Sequence, residues 1–200
     1  MVSENTVMSF DSLFEFEKAL SEYTGAPYVV LTDCCTHAIE LCFRYADIKQ
    51  TQFPAHTYIS VPMVLAQLGV NYTMTDQNWL GEYQFKGTTI WDSARRLERQ
   101  MYRPGQMQCL SFGYSKPLEL GRVGAILLDD SQAYQTLSMM RSDGRDLRIK
   151  PWQDQTTFTL GYHYCPTLED CKQGLELLPS INEKPKTVAY PDCRKIKIAT

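Results

Sequence analysis

Tyr28-Val29-Val30-Leu31-Thr32-Asp33-Cys34-Cys35-Thr36 carries a short β-branched run into a tight turn, and Ile39, Leu41, Cys42 and Tyr45 follow at helical spacing. Strand, turn and helix stand in that order. Upstream, Ser12 precedes a helical pattern with Leu13, Phe16, Leu20 and Tyr23 on one face, closed by Gly25 as a C-terminal cap. Downstream the alternation recurs: Thr51-Gln52-Phe53-Pro54 reads as a short strand, Ile59 to Leu68 as a helix closed by Gly69, and Val70 to Met74 as a strand. Asp76 to Gly87 reads as irregular. Thr88 to Trp91, Gln108 to Phe112 and Gly124 to Leu128 are further strands, with helices over Ser131 to Arg141 and Leu168 to Leu178. This alternation predicts an α/β fold, a layered and mostly parallel sheet flanked by helices. One principal domain is expected over residues 1–178, and residues 179–200 form a loose tail spaced by Pro179, Pro185 and Pro191.

The composition agrees with one core. The chain has 200 residues, of which 44% are apolar and 22% charged, enough to bury a sizeable interior. A net charge of −3 gives no global argument for nucleic-acid binding, and the basic stretch Arg194-Lys195-Ile196-Lys197 reads as a solvated tail. The seven cysteines, an odd number without paired metal-ligand spacing, read as reduced thiols, and no metal site is expected. The adjacent pair Cys34-Cys35 lacks the two-residue spacer of a redox motif, so packing is its reading. Met1-Val2-Ser3-Glu4-Asn5 has no basic region followed by an apolar stretch, and no segment approaches a membrane span in length. A cytoplasmic protein is expected.

Ligands in such sheets bind beyond the carboxyl ends of the strands. Thr36, Asp92 and Lys116 each lie at or just past a strand candidate, in Thr89-Ile90-Trp91-Asp92-Ser93-Ala94 and Cys109-Leu110-Ser111-Phe112-Gly113-Tyr114-Ser115-Lys116 for the latter two. A lysine that forms a Schiff base and an aspartate that partners a pyridinium nitrogen are the two groups a pyridoxal phosphate enzyme supplies. Singly each is commonplace, as an exposed loop lysine or an aspartate capping a helix. Together they predict one crevice.

Several pieces recur in a fixed order: Phe14-Glu15-Phe16-Glu17 with Tyr23-Thr24-Gly25, the turn ending in Thr36, Pro54-Ala55-His56-Thr57-Tyr58, Asp92-Ser93-Ala94, and Ser111-Phe112 with Lys116. Gly121-Arg122-Val123-Gly124-Ala125, Met140-Arg141 with Gly144, and Gly161-Tyr162-His163-Tyr164 with Thr167 complete the set. From roughly Phe14 to Leu178 this order resembles the DegT/DnrJ/EryC/StrS sugar aminotransferases, and implies a trimmed large domain of the fold type I pyridoxal phosphate transferases. The resemblance implies that Lys116 holds pyridoxal 5′-phosphate as a Schiff base and shuttles the proton, and that Asp92 keeps the pyridine nitrogen protonated. It places Cys35, Thr36 and Ser111 at the cofactor phosphate, Tyr58 on the ring, Arg95 near the phenolic oxygen, and His163 at the phosphate of a partner subunit.

The departures are specific. Cys34-Cys35-Thr36 stands where the family has a small Ser-Gly-Thr turn, and Arg95 replaces a glutamine or histidine. A further strand and helix before Asp92, and a small domain after Leu178, are missing. The resemblance implies an aminotransferase moving an amino group from an amino acid donor to a keto sugar nucleotide or small keto compound. It also implies a homodimer with shared active sites, acting without nucleic acid or membrane. The alternative is a non-catalytic remnant that binds cofactor or a partner protein. Loss of whole elements favours the remnant; retention of both Lys116 and Asp92 opposes it.

Overall fold

The computed structural model describes residues 9–181 and 188–197, so the readings of Met1–Asn5 and Pro185 fall outside it. In chain order the elements are α1 (Asp11–Thr24), β1 (Tyr28–Thr32), α2 (Cys35–Tyr45), β2 (Gln50–Pro54), α3 (Ser60–Gln67), β3 (Asn71–Thr75), β4 (Tyr83–Gln84) and β5 (Ile90–Asp92). They continue with β6 (Met107–Ser111), β7 (Gly124–Leu128), α4 (Ser131–Arg141) and α5 (Leu168–Leu177). Gly25 closes α1 with φ of 77° and donates to the Ser21 carbonyl, a left-handed position that suits glycine. Asp130 caps α4 by accepting from the Gln132 and Ala133 amides, and Thr167 caps α5.

The main sheet has the order β1-β7-β6-β5-β4, and β2 and β3 form a separate parallel pair. The layered α/β class holds, but the sheet is mixed where mostly parallel pairing is the expectation from the sequence. β1 with β7, β6 with β7, and β4 with β5 run antiparallel; in the main sheet β5 with β6 is parallel. The reason is the connection. A parallel return needs a crossover, most often a helix, whereas residues 112–123 between β6 and β7 carry no helix and turn the chain straight back. The segment read as irregular also contributes β4, pairing Tyr83 with Asp92.

Successive side chains of β1, β6 and β7 point to opposite faces, and both faces are covered. Val30, Cys109, Ile126 and Leu128 meet α2, α3 and α4; Val29, Leu31, Leu110 and Leu127 meet α1 and the α5 region. The layers are tied by one buried ion pair: Arg141 Nη1 donates to Glu17 Oε1 at 2.5 Å and to the Leu31 carbonyl at 2.9 Å. The Leu31 amide donates to the same Glu17 oxygen at 2.9 Å, so α1, β1 and α4 share one polar knot. Removing one partner leaves a buried charge unpaired. Glu17→Ala is expected to cost about 3–5 kcal/mol in urea unfolding, and Glu17→Leu combined with Arg141→Met is expected to recover most of it.

The C-terminal segment is not loose where it is described. The Cys193 amide donates to the Ala55 carbonyl at 2.9 Å, and Arg194 pairs with Asp76 at 2.7 Å. His56 Nδ1 donates to the Tyr190 carbonyl at 2.9 Å. These bonds fold the tail back onto the segments that follow β2 and β3. Among the described residues, no helix is long and apolar enough to cross a membrane.

Candidate active site

A cleft of about 540 Å³ opens where β1, β5 and β6 end, within the range of small-molecule sites. Lys116 and Asp92 both line it, from the loop after β6 and the last position of β5. Asp92 is buried, with 5% of its surface exposed. Its Oδ1 accepts from the Ala94 amide at 2.9 Å, and its Oδ2 accepts from the Tyr83 hydroxyl at 2.7 Å. Thr57 Oγ1 lies 2.8 Å from that hydroxyl and donates to it, since the Tyr83 proton is committed to Asp92.

Burial sets the charge states. It pushes the Asp92 carboxyl above its usual range, although the Tyr83 and Ala94 hydrogen bonds and Lys116 pull it down. It lowers the Lys116 ammonium, as does Arg95, while Cys35 and Asp92 oppose. A lysine held low is a better amine nucleophile, and a sealed carboxylate is a strong partner for one N–H proton.

The turn before α2 forms another wall through Cys34, Cys35 and Thr36. Thr36 Oγ1 donates to Ser60 Oγ at 2.7 Å, and Ser111 and Arg122 line the same cleft. Hydroxyls and an arginine around a helix N-terminus suit a phosphate. Burial pushes the Cys35 thiol well above its usual range, and its Sγ lies 3.6 Å from the Cys109 carbonyl. It packs as a neutral thiol. Gly124 is needed for this turn: a Cβ there would sit 2.4 Å from the Cys34 carbonyl carbon and 2.5 Å from the Cys35 nitrogen.

Tyr58 lines the cleft with 59% of its surface exposed, facing Tyr190 edge-on at 6.4 Å. Arg95 is 8% exposed and donates from Nη1 to Ser115. Thus seven of the eight residues read from the sequence meet at one cleft. His163 does not: its side chain is 90% exposed, pairs with Asp143 at 3.1 Å, and lies outside the cleft. Sequence reasoning missed Thr57, Trp79, Tyr83 and Tyr190. The alternation Glu82-Tyr83-Gln84-Phe85 carried a strand signal for Tyr83; nothing local marks Tyr190, which arrives by the folding back of the tail.

No metal-ligand spacing was read in the sequence, yet Asp33, Cys34 and His37 bring ligand-type atoms within 4.8 Å of one another. Both oxygens of Asp33 are engaged, by His37 Nδ1 at 2.5 Å and by Arg122 at 2.8 Å.

With this geometry in view, residues 1–79 match the model of the DegT/DnrJ/EryC1/StrS aminotransferase family. The matched stretch carries part of the resemblance read from the sequence, and it spans less than half of the 200 residues. No curated protein sequence matches. Among solved structures, the chain is similar to PseC of Helicobacter pylori, an aminotransferase involved in the biosynthesis of pseudoaminic acid. That match has 16% identity and a TM-score of 0.72, covering 90% of this chain and 60% of PseC. AtS13 from Actinomadura melliaura gives 17% identity and a TM-score of 0.73, covering 87% of this chain and 61% of that one. The putative sugar aminotransferase Spr1654 from Streptococcus pneumoniae, in its PLP form, gives 16% and 0.70, covering 90% and 62%. At these identities the likeness is one of fold: a trimmed fold type I large domain. The chain spans only about 60% of the length of these structures.

In the first turn of α2, His37 stacks on Tyr164 at 3.7 Å. Burial lowers its pKa, but the bonds to Asp33 and Cys34 outweigh this and raise it to about 9. A folded pKa above the unfolded 6.5 means the stabilisation is full below that value and is lost as pH rises through about 9. The expected outcome is an imidazole titrating near 9 by NMR, with a fall in melting temperature over that window that His37→Phe abolishes.

Proposed function

We propose that the chain is a pyridoxal phosphate-dependent aminotransferase, working in the cytoplasm on an amino acid donor and a keto sugar nucleotide or small keto compound. The observation that carries this reading is the meeting of a buried aspartate and a half-buried lysine in one cleft. The donor set fits the cofactor. Lys116 offers the amine, Asp92 a sealed carboxylate for the ring nitrogen, and Thr36, Ser60, Ser111 and Arg122 surround the phosphate position. When bound, pyridoxal phosphate supplies an aldehyde for imine formation and an electron-withdrawing ring.

The chain's own residues do the rest. Lys116 Nζ, held low by burial, would serve as the base that moves the proton at the substrate α-carbon. Asp92 keeps a proton on the ring nitrogen, and Tyr83 and Thr57 fix its carboxylate. Tyr58 covers the ring. Cys35 closes the turn by packing, where a glycine would allow closer backbone approach.

The non-catalytic alternative is disfavoured by cost: a buried Asp92 beside a half-buried Lys116 is expensive for a scaffold that has no use for them. Homodimer formation is part of the proposal. His163 does not line its own cleft and is exposed, as a residue serving a neighbour's phosphate would be, and symmetric pairing would supply that wall to both sites. The purified protein incubated with pyridoxal phosphate should turn yellow, and L-glutamate should bleach the band. Retention of the band with every amino acid tried would leave only the binding module.

A further inference from the structure

The backbone leaves its ordinary range one residue before Lys116. Ser115 has φ of 63°, a left-handed position that glycine takes freely and a side chain with a Cβ takes at a cost. It also stands at the demanding place in a turn. The Lys116 amide donates to the Gly113 carbonyl at 3.3 Å, which makes Tyr114 and Ser115 the central pair. A positive φ at the second of these ordinarily calls for glycine or asparagine. A serine keeps that conformation only where its surroundings hold it there.

Two side chains do so. The Ser115 amide donates to Glu119 Oε2 at 2.9 Å, while Arg95 Nη1 donates to the Ser115 carbonyl at 3.3 Å and to its hydroxyl at 3.4 Å. Both polar groups of the Ser115 backbone are therefore gripped by side chains. The Arg95 arm works from a fixed base, since the residue is buried and its own amide donates to the Gly81 carbonyl at 3.1 Å. Arg96 and Arg103 pair with Glu82, whereas no carboxylate pairs with Arg95 among the described residues. Its guanidinium is thus left to the turn. The loop is tied once more where Gly113 pairs with Gly121, and the next residue after the gripped serine, Lys116, lines the cleft.

We propose that Arg95 and Glu119 form a positioning clamp on Ser115, holding the left-handed turn that presents the Lys116 amine to the cleft. This rests on Lys116 being the reactive amine of the proposed aminotransferase, and adds two residues that act on it through the backbone. Arg95 has a second effect, because its charge joins burial in lowering the Lys116 ammonium.

The test follows Lys116 in the full chain without cofactor, by trace acetylation across pH and peptide mapping. In the unaltered chain Lys116 should reach half-reactivity at a lower pH than a free lysine side chain. Glu119→Ala, at an exposed position, should move that half-point up, and adding Ser115→Gly should bring it back, since glycine takes the turn without a clamp. Arg95→Gln should also move it up, with only partial return on adding Ser115→Gly, because the charge is lost as well. With pyridoxal phosphate present, borohydride trapping at Lys116 should slow about threefold or more in Glu119→Ala, the shift expected for one lost hydrogen bond, and recover in the double variant. A merely structural contact would not be rescued by glycine at Ser115. An unmoved half-point in well-folded Glu119→Ala, or no recovery on adding Ser115→Gly, would overturn the clamp. Failure of the unaltered chain to trap the cofactor would instead remove the aminotransferase reading, and the acetylation profiles would still decide the clamp.

Discussion

Lys116→Ala is expected to abolish covalent cofactor attachment and to slow the amino-acid half-reaction by about 10³-fold or more, the upper part of the range for a lost proton-transfer group. The effect is large because nothing else in the cleft replaces Nζ: among its lining residues, Arg95 and Arg122 are the other cations, and a guanidinium remains protonated. Stopped-flow loss of the cofactor band on mixing with L-glutamate measures it. Exogenous methylamine should restore part of the rate, which a merely unfolded variant would not show.

Asp92→Asn is the second. The amide keeps the shape and the Ala94 contact, so much of the cofactor affinity should survive, but it cannot hold a proton on the ring nitrogen by charge. The half-reaction is expected to fall at least about 10²-fold, comparable to losing one preorganised electrostatic group. Tyr83→Phe acts in the same direction and more weakly. It removes the 2.7 Å bond that holds the Asp92 carboxyl down against its burial. An undiminished half-reaction in Asp92→Asn would remove that residue from its role.

Local chemistry made much of this site legible. The strand-turn-helix of Tyr28–Tyr45 follows from β-branched residues, a tight turn and helical spacing, so Thr36 could be placed without any long-range contact. Asp92 and Lys116 were legible through strand ends. Sheet direction was not, because antiparallel return between β6 and β7 depends on what the intervening loop does, and strand alternation alone carries no sign of direction. The aromatic wall was not legible either. Tyr190 lies 98 residues from Asp92 in sequence and reaches the cleft through the folding back of the tail, where the Cys193 amide meets the Ala55 carbonyl and His56 the Tyr190 carbonyl. The surroundings of Arg95 needed coordinates too, since only they show that Arg96 and Arg103 pair with Glu82 while Arg95 turns to Ser115.

The central claim is that Lys116 carries the cofactor in a cleft whose floor is Asp92. Incubation of the full chain with pyridoxal phosphate, reduction with borohydride and peptide mapping by mass spectrometry tests it most directly. The account predicts a single stoichiometric pyridoxyl adduct on the peptide containing Lys116. An adduct on another lysine, or none at saturating cofactor, would contradict it.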